Sequence, residues 1–115
     1  MQFMLLIHSE GQNIDPAELP RMTHEYMEFA QDLVKTGGLK GGDRLESSST
    51  TATVRVRDGK TVATDGPFAE TREQIGGYFI VEAKDRDEAV AIAAKIPGAR
   101  YGSIEVRQIA STPSR

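Results

Sequence analysis

The chain has 115 residues, which is the usual size of one domain and too short for two ordinary ones. Apolar residues make up 38% and charged residues 27%, so the chain can build one hydrophobic core and is not of the disordered class. It contains no cysteine, which excludes disulfides, thiol nucleophiles and thiolate metal sites, and its net charge of −3 argues against a general nucleic-acid binder.

The first residues do not have the pattern of a targeting or membrane segment. The apolar run Phe3–Ile7 is only five residues long, no basic region precedes it, and the polar His8–Glu10 ends it. No stretch of the sequence approaches the roughly 18 apolar residues needed to span a bilayer. We therefore expect a cytoplasmic protein without a membrane partner.

Residues 3–8 are expected to form a strand with two apolar faces. Phe3, Leu5 and Ile7 share one face, and Met4 and Leu6 share the other. A strand of this kind is covered on both sides, so we expect it in a central position in its sheet.

The pattern changes to a helical period over residues 15–36. Apolar residues recur three or four apart, as on one face of an amphipathic helix: Leu19, Met22, Tyr26, Phe29 or Ala30, and Leu33. Asp15 and Pro16 suit a helix start, but Pro20 would then clash inside the helix. We expect a short turn first, a main helix from about Pro20, and an end at Gly37–Gly38.

The middle of the chain predicts a strand, a loop and a hairpin. Leu39–Glu46 contains two glycines and has the pattern of an extended strand, and Ser47–Thr51 is a polar loop. The alternating segments Thr53–Arg57 and Thr61–Thr64 are joined through Asp58–Gly59. Asp-Gly between two strands is the strongest short hairpin signal.

A turn at Asp65–Phe68 follows the hairpin. Thr71–Gln74 is predicted to form a single capped helical turn that Gly76–Gly77 ends, and Tyr78–Ala83 alternates as a strand does.

The last part of the chain predicts a second helix and a final strand. Asp85–Glu88 opens the helix and Pro97–Gly98 closes it. Its apolar stripe consists of Ala89, Ile92, Ala93 and Ile96. Residues 102–109 form the strand and complete a single domain over residues 1–109, and residues 110–115 are expected to be a flexible tail.

The predicted order is strand, helix, strand with an extra hairpin, strand, helix, strand. This is the split βαβ plan of ferredoxin-like α+β domains, with both helices on one face of the sheet. Because the first strand is apolar on both faces, something must cover the second face. In a chain this short we expect a second subunit there, and hence a homodimer.

One segment of the sequence resembles a known family. The run Asp65-Gly66-Pro67-Phe68-Ala69-Glu70-Thr71, continuing to Tyr78, closely resembles the signature of YCII-related proteins of the DGPF type. Similar features are Met4-Leu5-Leu6-Ile7, Thr53-Val54-Arg55, Ala99-Arg100-Tyr101-Gly102 and Glu105-Val106-Arg107. The resemblance covers nearly the whole chain.

The resemblance implies a dimeric α/β barrel, usually bacterial, in a family whose members mostly have no assigned activity. Some such genes lie beside genes for extracytoplasmic-function sigma factors, which implies a regulatory setting. The wider group includes a dehydrochlorinase and is similar in fold to muconolactone isomerases. Its best-described branch has a His–Asp pair proposed to do acid–base work; here Ser9-Glu10 stands at the position of the acid and Tyr26 at that of the histidine.

The candidate catalytic residues follow partly by elimination. Without cysteine or a metal set, we expect a carboxylate from Asp65 or Glu10, paired with His8 or Tyr26, to move any proton. His8 ends a strand, where an imidazole can exchange a proton near neutral pH; the alternative is a strand-end histidine that meets solvent. A tyrosine is a poor base at pH 7, so Tyr26 suits an acid or hydrogen-bond role.

Three further residues are candidates for substrate binding. Phe68 would form an apolar wall, Tyr78 would supply a polar group, and Arg44 could hold an anionic ligand. The Asp65–Phe68 turn has a structural alternative, because Gly66 permits an unusual φ and its neighbours suit turn chemistry.

No metal or other cofactor is expected. His24 and Glu28 have helical metal-ligand spacing, but a second histidine is missing and there is no cysteine to replace it. The glycines at 37–42 close a helix, whereas a phosphate-binding loop opens one.

Two functions from different classes remain open. The first is a small-molecule site inside a dimeric barrel, either purely binding or performing weak acid–base chemistry such as isomerisation or elimination. The second is a non-enzymatic regulatory or interaction module associated with sigma-factor signalling. A pocket with convergent polar groups favours the first, and an exposed apolar patch favours the second.

Overall fold

The computed structural model describes residues 1–10, 15–69 and 73–111. These residues form an α+β fold, as predicted. In chain order its elements are β1 (Gln2–Ser9), α1 (Leu19–Lys35), β2 (Leu39–Arg44), β3 (Ala52–Arg57), β4 (Lys60–Asp65), β5 (Gln74–Glu82), α2 (Arg86–Ala93) and β6 (Ser103–Gln108). Residues 112–115 of the predicted tail lie outside the described residues.

Four strands form one antiparallel sheet in the order β2-β5-β1-β6, and β3 and β4 form a separate two-stranded sheet. This strand order, with one helix after β1 and another after β5, is the ferredoxin-like plan with an inserted hairpin. β1 lies between β5 and β6, so its predicted central position is confirmed.

The hydrophobic core lies between one face of the four-stranded sheet and the two helices. Its buried residues are Phe3, Leu5, Phe29, Val81, Ala83, Ala89, Ala93 and Ile96. Burying a side chain as large as Phe3 or Leu5 contributes about 1.5–3 kcal/mol. The core therefore joins β1 and β5 to both helices, and the opposite face of the sheet takes no part in it.

Local signals explain where α1 begins and ends. A short 3₁₀ turn, Pro16–Glu18, precedes it, and Oδ1 of Asp15 accepts a hydrogen bond from the Ala17 amide at 3.0 Å. Pro20 then lies in the first turn of α1, where its missing N–H removes no helical hydrogen bond. At the other end Gly37 has φ +75°, the left-handed conformation that commonly ends a helix.

α2 is capped as predicted but is shorter than predicted. Oδ1 of Asp85 accepts a hydrogen bond from the Glu88 amide at 2.8 Å. The helix ends at Ala93, because Ile96 is extended, the conformation that a following proline favours, and Pro97 opens a 3₁₀ turn. Within the described ranges, neither helix is long and apolar enough to cross a lipid bilayer.

The predicted hairpin is confirmed. Asp58 has φ 51° and Gly59 has φ 75°, and positive φ at both central residues suits the right-handed twist of the strands on either side. The turn after β4 needs glycine as well, because Gly66 has φ +104°. Its amide donates to the carbonyl of Thr51, and its carbonyl accepts a hydrogen bond from Oγ1 of Thr53 at 2.9 Å.

β5 begins earlier than predicted, at Gln74, so Gly76–Gly77 lies inside a strand and does not end a helical turn. Glycine is needed there for close approach, since a Cβ on Gly77 would lie 3.0 Å from the carbonyl oxygen of Asp43 in β2. The first two residues of the predicted turn Thr71–Gln74 lie outside the described residues.

Gly66→Ala is expected to lower the free energy of unfolding by about 1 kcal/mol or more, because alanine is strained at a positive φ. Gly76→Ala is the matched control, since its Cβ would meet only Oγ of Ser9 at 4.0 Å and it has no positive φ. Urea unfolding followed by circular dichroism measures both. Equal midpoints for the two variants would contradict the prediction.

Candidate functional site

The candidate site lies on the face of the four-stranded sheet turned away from the helices, which we call the open face. Phe3 and Leu5 of β1 point into the core, so strand alternation places Met4, Leu6 and His8 on the open face. The register brings beside them Ile80 and Tyr78 of β5, Arg107, Glu105 and Ser103 of β6, and Gly41 and Asp43 of β2.

The centre of the open face is apolar. Met4 and Ile80 are directly paired across β1 and β5, and Leu6 lies beside them. All three side chains are half-buried by their neighbours within the sheet. Both described helices pack on the other face, so this apolar surface lies open in the single chain.

A histidine–glutamate pair borders the apolar centre on the β6 side. Nε2 of His8 lies 3.0 Å from Oε1 of Glu105, and the two side chains are 23% and 47% exposed. Arg107 is the next residue of β6 on the same face, and its Nη1 lies 3.9 Å from the other carboxylate oxygen of Glu105. A carboxylate that orients an imidazole in this way is the arrangement that acid–base chemistry uses.

A tyrosine–aspartate pair borders the apolar centre on the β2 side. The hydroxyl of Tyr78 donates to Oδ2 of Asp43 at 3.1 Å. This hydrogen bond, together with the negative charge of the carboxylate, raises the pKa of Tyr78 above its usual value. The phenol therefore stays protonated at neutral pH and serves as a hydrogen-bonding group.

Tyr26 lies on the opposite side of the sheet from His8. Its ring packs on Phe79 within the helix-covered layer, at 6.5 Å between centroids, and its hydroxyl accepts a hydrogen bond from the Gly98 amide at 3.1 Å. Burial raises the pKa of Tyr26, against the smaller effects of the Gly98 amide and Arg100. In the single chain Tyr26 ties α1 to the turn before β6 and does not meet His8.

The other predicted site residues lie around the edges of the fold. Asp65 is exposed at the end of β4, in the two-stranded sheet, and Arg44 is exposed at the end of β2. Phe68 is 79% exposed, and the guanidinium of Arg55 lies 5.5 Å from its ring centroid. Glu10 is exposed just past β1. Their site roles stay predictions.

Sequence reasoning missed Glu105 and Asp43. Each faces a residue that was predicted, but only the pairing of β6 with β1, and of β2 with β5, brings them together. Alternation along Ser103, Glu105 and Arg107 is the signal that places these side chains on one face.

The comparison with known proteins agrees with this architecture. Residues 1–112 match the model of the YCII-related domain. The chain belongs to the YCII-related family. It is similar to an uncharacterized protein of Rhizobium meliloti, with 35% identity over 92 residues that cover 78% of this chain and 74% of that protein. Neither the description of the YCII-related family nor the name of this relative states a reaction.

No group of three histidine, aspartate or glutamate side chains that could hold a metal ion occurs among the residues that the structure describes. The polar side chains on the open face of this YCII-related chain form two hydrogen-bonded pairs, His8 with Glu105 and Tyr78 with Asp43.

The two tyrosines give a test of these placements. Tyr26→Phe is expected to lower the free energy of unfolding by about 1–3 kcal/mol, because the buried Gly98 amide loses its acceptor. Tyr78→Phe removes the same atom from a solvent-exposed pair and is expected to leave the free energy of unfolding nearly unchanged. Urea unfolding of both variants measures the difference; a larger loss for Tyr78→Phe would contradict it.

Proposed function

We propose that this protein binds a small molecule on the open face of its sheet, and that a second copy of the chain closes the site. The observation that carries the proposal is the apolar centre of Met4, Leu6 and Ile80, bordered on both sides by hydrogen-bonded polar pairs. An apolar floor with a few convergent polar groups is the usual composition of a ligand site.

Exposure of an apolar sheet face to water is unfavourable in free energy, and a second copy of the chain would cover that face. Two such faces turned toward each other remove the apolar centres from bulk water, and we propose that the ligand binds between them. A two-fold arrangement uses the same surface on both copies, so no other surface is needed. The resemblance to dimeric α/β barrels supports the same assembly.

The proposed chemistry is proton transfer by His8. In the tautomer that donates from Nε2 to Glu105, the lone pair lies on Nδ1. Nδ1 would take a proton from a C–H beside a carbonyl group of the ligand. Return of that proton to another carbon is an isomerisation, and departure of an anionic leaving group is an elimination. We assign the carboxylate role to Glu105, because its hydrogen bond to His8 is formed in the structure.

The alternative function is a non-enzymatic regulatory or interaction module. The hairpin of β3 and β4 favours it, because Val54 and Val56 share one face of β3 and are each 60% exposed. Exposed apolar rows of this kind mark interaction surfaces.

The dimer has a direct test. Wild-type protein is expected to sediment as a dimer at about micromolar concentration, and Leu6→Asp is expected to sediment as a folded monomer, because a charge on the open face opposes its burial. Val34→Asp, at an exposed position of α1, is the matched control and should stay dimeric. A monomeric wild type, or a dimeric Leu6→Asp, would refute the assembly.

The proton transfer is tested separately. A panel of small enolisable carbonyl compounds is incubated in D₂O with and without the protein, and proton NMR measures the exchange of their C–H hydrogens. We expect the protein to accelerate this exchange in at least one compound. His8→Gln and Glu105→Gln are expected to slow this exchange by about 10²-fold or more, the usual contribution of a positioned base. Glu28→Gln, at an exposed position of α1 on the other side of the sheet, is the control and should not slow it. If the protein accelerates exchange in none of the compounds, or if His8→Gln leaves the rate unchanged, the result would favour the interaction module.

A further inference from the structure

A groove between α1 and α2, on the side of the protein away from the open face, is not used by the proposed function. It has a volume of about 840 Å³. Its floor is apolar and is formed by Phe29, Leu33, Ala83, Ile92 and Pro97. We call it the helix groove.

One wall of the helix groove is acidic. Glu25, Glu28 and Asp32 follow each other along α1 at helical spacing. Glu25 is held by two hydrogen bonds from Arg100, at 2.8 and 2.9 Å, which lower its pKa. Glu28 meets the exposed His24 at 2.7 Å, and the described part of the chain shows no ion-pair partner for Asp32.

The opposite wall of the helix groove carries two lysines. Lys84 and Lys95 line it, and neither has an ion-pair partner within the described residues. Two acidic groups also lie on this side. Glu82 forms an ion pair with the amino group of Met1, whereas Glu88 accepts only a neutral hydrogen bond, from the Lys84 amide to its Oε1 at 3.1 Å, which does not neutralise its carboxylate. Lys84 and Lys95 together outweigh Glu88, so the two walls carry net charges of opposite sign across an apolar floor.

We propose that the helix groove binds an amphipathic helix of a partner protein. The apolar face of that helix lies on the floor, its basic residues run along the flank that meets α1, and its acidic residues meet Lys84 and Lys95. The α1 wall runs from Glu25 to the end of α1 at Lys35, which is about 15 Å at 1.5 Å per residue, so a helix of about 14 residues spans it with about one turn to spare. Charges one turn apart on α1 match those on the flank of a helix alongside it.

The charge pattern distinguishes this occupant from a simple polycation or an anion. A helix with basic residues on both flanks would place charge of the same sign against Lys84 and Lys95. A helix with acidic residues on both flanks would repel Asp32 in the same way. Only mixed flanks satisfy both walls at once.

Three labelled synthetic helices of about 14 residues test the proposal. All have the same leucine face, and their flanks are mixed, all-lysine or all-glutamate. Fluorescence anisotropy is expected to give the tightest binding for the mixed peptide. Asp32→Lys is expected to weaken that binding about three- to tenfold, as two exposed charge interactions would. Glu46→Lys, exposed and outside the groove, makes the same change in net charge and should leave it unaltered.

Any one of four results would overturn the proposal. The first is no binding of the mixed peptide up to about 1 mM, and the second is binding of the mixed peptide no tighter than that of the all-lysine or the all-glutamate peptide. The third is equal weakening by Asp32→Lys and Glu46→Lys. If Asp32→Lys, but not Glu46→Lys, changes the sedimentation of the protein alone, a second copy occupies the groove and the proposal is also wrong.

Discussion

The register of β1 between β5 and β6 is the constraint on which the rest of the structure depends. In this register the odd residues of β1, such as Leu5, enter the core, and the even residues, such as Leu6, lie on the open face. A slip of one residue would exchange the two sets, because side chains alternate along a strand. Both faces are apolar, so hydrophobicity alone does not select the register. Polar neighbours and close backbone contacts must do so.

Close contacts at glycines supply part of that selection. A Cβ on Gly102 would lie 2.1 Å from the carbonyl oxygen of His8, so only glycine lets the start of β6 approach the end of β1. This approach sets Ser103 opposite His8 and carries Glu105 to within hydrogen-bond distance of the imidazole. On the other side Gly42 allows the same closeness, since its Cβ would lie 2.8 Å from the carbonyl oxygen of Tyr78. The polar pairs on the open face therefore depend on the backbone fit at the strand ends and edges.

The sequence predicted the elements whose signals are local. The two-faced apolar strand indicated that β1 is central, and Asp58–Gly59 predicted the hairpin, because each signal lies in a few consecutive residues. The prediction that Gly76–Gly77 ends a helical turn was wrong. Glycine can stop a helix, but it also permits close packing of strands, and sequence spacing does not distinguish the two uses. The partner of His8 could not be predicted without the register, because Glu105 lies 97 residues away along the chain.

The proposed chemistry and the proposed assembly depend on each other. In the single chain His8 and Glu105 are partly solvated, and an exposed pair of this kind interacts weakly because water screens it. A second sheet over the open face would exclude that water, which strengthens the hydrogen bond to the imidazole and every contact with a bound ligand. The same enclosure would bury the half-exposed Met4, Leu6 and Ile80, so the apolar contact that joins two copies would also create the environment in which His8 can act as a base.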